Sequence, residues 1–255
     1  MGRKLVVVFA ALLITVAGCT PTATRSAPAA SPSAPLPFTS FSASPSPSPS
    51  PSPSPSQPGV DQQTLRYFFE VALGGEYGDK FSVATMWTQP VVTVRVNGKP
   101  TAAARDCLDT VIADFNALTA TTDLKLVDEP ADLEMHFVPL SKFASIEKNY
   151  VKGNDGFIYV YWSDSHAITE GTVLIRSTGI PERIRCHLIR EELTQGMGLL
   201  RDSDRYPGSV FYGGYEPAPT GYSAMDKRLI RLLYSGAIRP GDDRDTVTAA
   251  VRVQR

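Results

Sequence analysis

The chain is 255 residues long, 42% of them hydrophobic, with a formal net charge of −1, but these totals average over two unlike parts. Twelve of the 21 prolines lie between Thr20 and Pro58, and none of the 26 acidic residues precedes Asp61; this excludes roughly the first 60 residues from any packed core and leaves about 195 for one domain. Arg3, Lys4 and Arg25 are the basic residues ahead of Asp61, so the domain holds 22 basic against 26 acidic side chains, net −4, the wrong sign for a nucleic-acid binder.

The N-terminus reads as an address. Arg3 and Lys4 precede an apolar run, Leu5 to Val16, too short for a permanent membrane helix and suited to the core of a signal peptide. The run ends in Val16-Ala17-Gly18-Cys19, which resembles the bacterial lipobox: an aliphatic residue, two small residues, and the cysteine that becomes the acylated N-terminus. The resemblance implies a signal peptide over 1–18, lipidation at Cys19, and an extracytoplasmic protein anchored in the cell membrane, since several acyl chains hold where one is marginal. Residues 19–60 read as a disordered Ser/Pro-rich linker, with an unbroken Pro-Ser repeat from Pro45 to Ser56. Proline fixes φ and removes donors, and at about 3.1 Å per residue such a tether reaches on the order of 100 Å.

The domain, 61–255, alternates in period. Leu65, Phe68, Phe69 and Ala72 fall at helical spacing in Asp61 to Leu73, which Gly74-Gly75 ends. Val91 to Val96 alternates as a strand before the turn Asn97-Gly98. Thr101 to Leu118 places Ala104, Cys107, Leu108, Val111, Ile112, Phe115 and Leu118 on one helical face. Strands follow at Leu124–Val127, Leu133–Val138, Phe157–Trp162 and Thr172–Arg176. Pro181 opens a helix, with Ser177 or Thr178 as its cap, that runs to Gly196 or Gly198; Ala224–Leu233 is the last helix. This order predicts an α+β fold with a mixed sheet rather than a doubly wound one.

The chemistry-bearing text lies on the Pro181 helix. Ile189, Leu193, Met197 and Leu200 form a core-facing stripe, while Glu191 and Gln195, four apart, share another face. This is the geometry by which H-E-x-x-H presents two zinc ligands with the glutamate between them as general base. Against the longer H-E-x-x-H-x-x-G-x-x-H, Glu191, Gln195 and Arg201 occupy the three histidine positions, Glu192 matches the glutamate and Gly198 the glycine, and Asp202 follows.

Glu191-Glu192-Leu193-Thr194-Gln195-Gly196-Met197-Gly198-Leu199, with Asp202-Ser203-Asp204 and Tyr206-Pro207 after it, resembles an uncharacterised bacterial family marked by E-E-L-T-Q and grouped with the zincin-like metallopeptidases. Pro207–Tyr212 resembles the stretch that reaches the methionine turn of matrixin-type proteases, with Phe211 in place of methionine, and Tyr222–Tyr234 resembles their closing helix. The resemblance spans Phe81 to Gly241 and implies a zincin-like mixed sheet with two long packed helices and a C-terminal helix. It also implies a cleft formed by Glu191, Gln195, Arg201 and Asp202.

The departures weigh against a zinc enzyme. A carboxylate, a neutral amide and a guanidinium make a poor zinc set, and without the metal Glu192 has no activated water to deprotonate. No cofactor is expected. Three readings remain open: a hydrogen-bonded patch in which His187, Glu191 and Gln195 pair along the helix, a metal-dependent hydrolase with Glu192 as base and Glu191, Gln195 and Asp202 as candidate ligands for zinc, and a calcium or magnesium site on Glu191, Asp202 and Asp204. His136 reads as a surface residue of its strand; in a zincin-like fold His166 approaches the cleft. Gly74-Gly75 and Gly213-Gly214 read as turns.

With Cys19 lipidated, Cys107 and Cys186 remain as an even pair in an oxidising compartment. The zincin-like arrangement packs their helices side by side, which implies a disulfide; two buried thiols are the alternative. The expected function is a lipid-anchored, non-peptidase binding or cell-envelope protein whose partner is an unknown protein or peptide.

Overall fold

The structure, a computed structural model, describes residues 57–75, 81–214 and 216–254. The expected signal peptide, Cys19 and nearly all of the linker lie outside the described residues. The described residues form one compact unit.

A short strand, β1 (Gly59–Asp61), takes in two residues that composition leaves in the linker. Asp61 then caps α1 (Gln62–Ala72), accepting from the Thr64 amide at 2.7 Å. After β2 (Val91–Gly98) and α2 (Ala102–Asn116, capped by Thr101) come β3 (Asp123–Val127) and β4 (Leu133–Val138). A 3-10 turn at Leu140–Lys142 and the four-residue α3 (Phe143–Ile146) lead to β5 (Gly156–Trp162) and β6 (Ile168–Arg176). The chain ends in α4 (Glu182–Gln195), α5 (Ala224–Leu233), α6 (Arg244–Ala250) and β7 (Arg252–Gln254), which pairs in parallel with β1.

The five-stranded sheet has the order β3-β2-β4-β6-β5. The first four strands are parallel and β5 runs antiparallel at the edge, which gives the mixed α+β architecture expected. β4 shows why the period carries: Leu133, Met135 and Phe137 are buried while Glu134, His136 and Val138 are half-buried. The expectation that α5 is the last helix is corrected, because α6 follows it, capped by Asp243 and burying Val247. The cap expected from Ser177 or Thr178 is also corrected. Pro181 stands at the start of α4 with no side-chain cap, and the Arg185 guanidinium instead donates to the carbonyls of Arg176 and Ser177 at 3.1 and 3.0 Å.

Two features fix α4. Along its length, Cys186 joins Cys107 of α2 in a disulfide with the Cα atoms 5.7 Å apart, as the resemblance implied. The buried Arg190 reinforces this contact, pairing with Asp114 of α2 at 2.8 Å while its guanidinium lies 4.4 Å from the ring centre of Tyr222. At the C-terminal end, the carbonyls that lack helical partners are taken by buried aromatics: Trp87 Nε1 donates to Gly196 O at 2.9 Å and Tyr234 OH to Met197 O at 2.7 Å. The chain then turns at Gly198, where φ is +106° and a Cβ would lie 2.3 Å from the Thr85 carbonyl, so only glycine fits.

Candidate functional site

α4 is buried along most of its length, yet one face opens on a cleft of about 230 Å³. His187, Glu191, Glu192 and Gln195 line it, spaced as successive turns of one helix require. Opposite them lie Asn154 to Ile158 at the start of β5, Asp202 beyond the Gly198 turn, and Tyr212 to Gly214. The sheet edge approaches α4 closely at Gly156, where a Cβ would meet Glu192 Oε1 at 2.5 Å and Leu188 Cδ2 at 2.9 Å.

The structure thus brings together Glu191, Glu192, Gln195 and Asp202. The amide of Gln195 donates from Nε2 to Asp202 Oδ1 at 2.6 Å. Glu191 and Glu192 are only 8% and 7% exposed. Carboxylates so removed from water are costly unless they are paired or hydrogen-bonded, and both of these have interaction partners in the structure. The Nδ1 of His187 lies 2.9 Å from Pro219 O; a carbonyl only accepts, so this nitrogen carries the proton. Its Nε2 lies 3.4 Å from Glu191 Oε2. Burial pushes the imidazole pKa down, against the opposing effect of the Pro219 bond. Outside the cleft lining, Arg183 binds both oxygens of Glu216 at 2.8 and 3.0 Å and the carbonyls of Pro217 and Ala218 at 2.6 and 3.1 Å.

Other expected site residues sit elsewhere. Arg201 is exposed and lines a separate surface depression with Glu70, Ser203 and Arg205. There burial of the Glu70 carboxyl opposes ionisation, but hydrogen bonds from Ser203 and Arg205 outweigh it and hold the pKa below the usual carboxylate range. Asp204 lines the same depression and not the cleft. His166 lies at the β5–β6 turn with φ +62°, its ring 5.1 Å from that of Phe81, and does not line the cleft. His136 is half-buried on β4, where burial pushes its pKa down.

The donor set does not fit zinc. Gln195 offers only a neutral amide oxygen, a weak zinc ligand, and Arg201 is outside the cleft; among the described residues no three His, Cys, Asp or Glu side chains form a group that could hold a metal ion. Of the residues named for a calcium or magnesium site, Glu191 and Asp202 line the cleft, while Asp204 lines the neighbouring depression, which Asp202 also borders. Sequence reasoning missed the β5 side of the cleft and treated Gly213-Gly214 as a turn alone; their approach to α4 is set by tertiary packing and leaves no local signal.

Residues 61–253 match the family described as "Protein of unknown function (DUF2927)". No curated protein matches the sequence. Two solved structures are similar to it at 12% identity: "Structure of myroilysin", covering 59% of this chain and 95% of that one with a TM-score of 0.38, and "Crystal structure of myroilysin", covering 66% and 92% with a TM-score of 0.42.

Proposed function

The chain belongs to the DUF2927 family of proteins of unknown function, and from that premise we propose that it is a lipid-anchored extracytoplasmic binding protein whose α4 cleft takes a peptide or protein bearing a positively charged group. The observation that carries this reading is the convergence of Glu191, Glu192 and Asp202 on one cleft beside the Gln195 amide. Such a site attracts an ammonium or guanidinium through charge-assisted hydrogen bonds. The half-buried Ile158 and Tyr212 supply apolar surface for the rest of the ligand. The lipobox resemblance at Cys19 supports the anchor, and the E-E-L-T-Q resemblance supports descent from a zincin-like scaffold in which the metal site has been replaced.

The alternative is a metal-dependent hydrolase with Glu192 as general base. Zinc analysis of the purified protein, with peptide hydrolysis measured alongside, separates the two. No stoichiometric zinc and unchanged background hydrolysis in Glu192→Gln are expected. One zinc per chain, with hydrolysis abolished by Glu192→Gln, would overturn the binding reading.

A further inference from the structure

Between β4 and β5 the chain makes an excursion that the cleft does not explain. It has a core of its own: Phe143, Phe157 and Leu174 are buried together, with Leu140, Tyr150 and Tyr159 packed against them. The rings of Phe143 and Tyr150, and of Tyr150 and Phe157, stack edge-on at 5.1 and 5.4 Å, and Tyr150 OH donates to Asn154 O at 2.9 Å. This ordered base supports an unusual surface. Ile146 and Val151, at 36% and 38%, are two of the three exposed large hydrophobic residues among the described residues. Lys142, Lys148 and Lys152 are exposed in the same segment.

The segment shows water no negative charge. Its one acidic residue, Glu147, is 3% exposed, and its carboxylate is turned inward, accepting from the Asn149 amide and Asn149 Nδ2 at 2.9 and 2.8 Å and from Tyr161 OH at 3.4 Å. Asp155, just beyond, is paired with Arg176 at 2.8 Å. On a domain that is net negative, three exposed lysines and two exposed aliphatic side chains therefore fall within the one segment Lys142 to Lys152.

We propose that the excursion from Leu140 to Gly153 is a docking surface for an anionic phospholipid membrane, with the lysines meeting headgroup phosphates and Ile146 and Val151 entering the interface. Charge complementarity argues for that occupant, and paired basic and apolar side chains on one surface are the pattern by which peripheral proteins bind anionic bilayers. The inference rests on the extracytoplasmic, lipid-anchored reading for its location and is independent of the cleft. A tether at Cys19 keeps the surface near lipid, so a weak individual affinity suffices.

The test uses the chain from Thr20 onward, which keeps the whole folded unit and removes the acylation site. It is sedimented with vesicles of equal parts phosphatidylglycerol and phosphatidylcholine, and with phosphatidylcholine alone. Binding to the first and not the second is expected. It weakens about fivefold per lysine removed, and so about a hundredfold in Lys142→Gln/Lys148→Gln/Lys152→Gln. High salt abolishes it, and Ile146→Ser/Val151→Ser weakens it while leaving its salt dependence. No sedimentation with phosphatidylglycerol, equal binding to both vesicles, or a triple variant that binds like the parent overturns the proposal. So does binding to soluble polyphosphate without binding to vesicles. Loss of the full-length protein from the membrane fraction on Cys19→Ala tests the anchor separately.

Discussion

Replacing Cys107 and Cys186 together with serine is expected to lower the unfolding free energy by about 4 kcal/mol, read from the midpoint and slope of denaturant unfolding. The two cysteines are 79 residues apart in sequence, so the bond removes a long loop's freedom from the unfolded chain. The native state holds the geometry in any case: α2 and α4 already meet, and the Arg190–Asp114 pair spans the same contact. The double variant should therefore fold to the same structure with a lower midpoint and nearly unchanged ligand affinity in the cleft. A loss under 1 kcal/mol would mean that the bond constrains little. An altered cleft would mean that it positions α4 as well as stabilising the chain.

Asp226→Ala should cost on the order of 3–5 kcal/mol, the range for removing one partner from a buried charged network. Asp226 is fully buried. It accepts from Ser209 Oγ at 2.6 Å, the Val210 amide at 3.2 Å and the Ser223 amide at 2.8 Å, and its own amide is bonded to Ser223 Oγ, closing a capping box on α5. Ser209 Oγ in turn accepts from Tyr67 OH of α1 at 2.9 Å. Alanine leaves these donors buried without an acceptor and frees the loop before Tyr212, one wall of the cleft. The exposed cap Asp243 makes similar local bonds to Thr246 without such a network; its alanine variant should be far milder. Equal losses at the two sites would refute the role given to burial.

These consequences were unevenly legible in the sequence. α2, β4 and α5 are carried by apolar periodicity long enough to outvote local accidents. β1, β7 and α3 are three or four residues long, and their stability comes from pairing or packing with distant residues. No local pattern could mark them. α6 is short and buries a single side chain, Val247, too little to show a stripe.

The site follows the same division. His187, Glu191 and Gln195 sit on one helix, where spacing determines which side chains share a face. Arg201 lies past Gly198, and beyond a left-handed turn the helical period no longer predicts direction; the chain there bonds to Val71 O of α1 instead. Asp202, one residue further, lines the cleft and accepts from Gln195 Nε2.

The central claim, that the α4 cleft holds a positively charged ligand, is tested most directly by calorimetric titration with trilysine. Measurable affinity that falls with added salt is predicted for the parent chain. In Glu191→Gln/Glu192→Gln it should be weaker by about tenfold or more, the loss of at least one charge-assisted contact, with triglutamate inert toward both. Equal affinity of parent and double variant for trilysine, or preference for triglutamate, would contradict it.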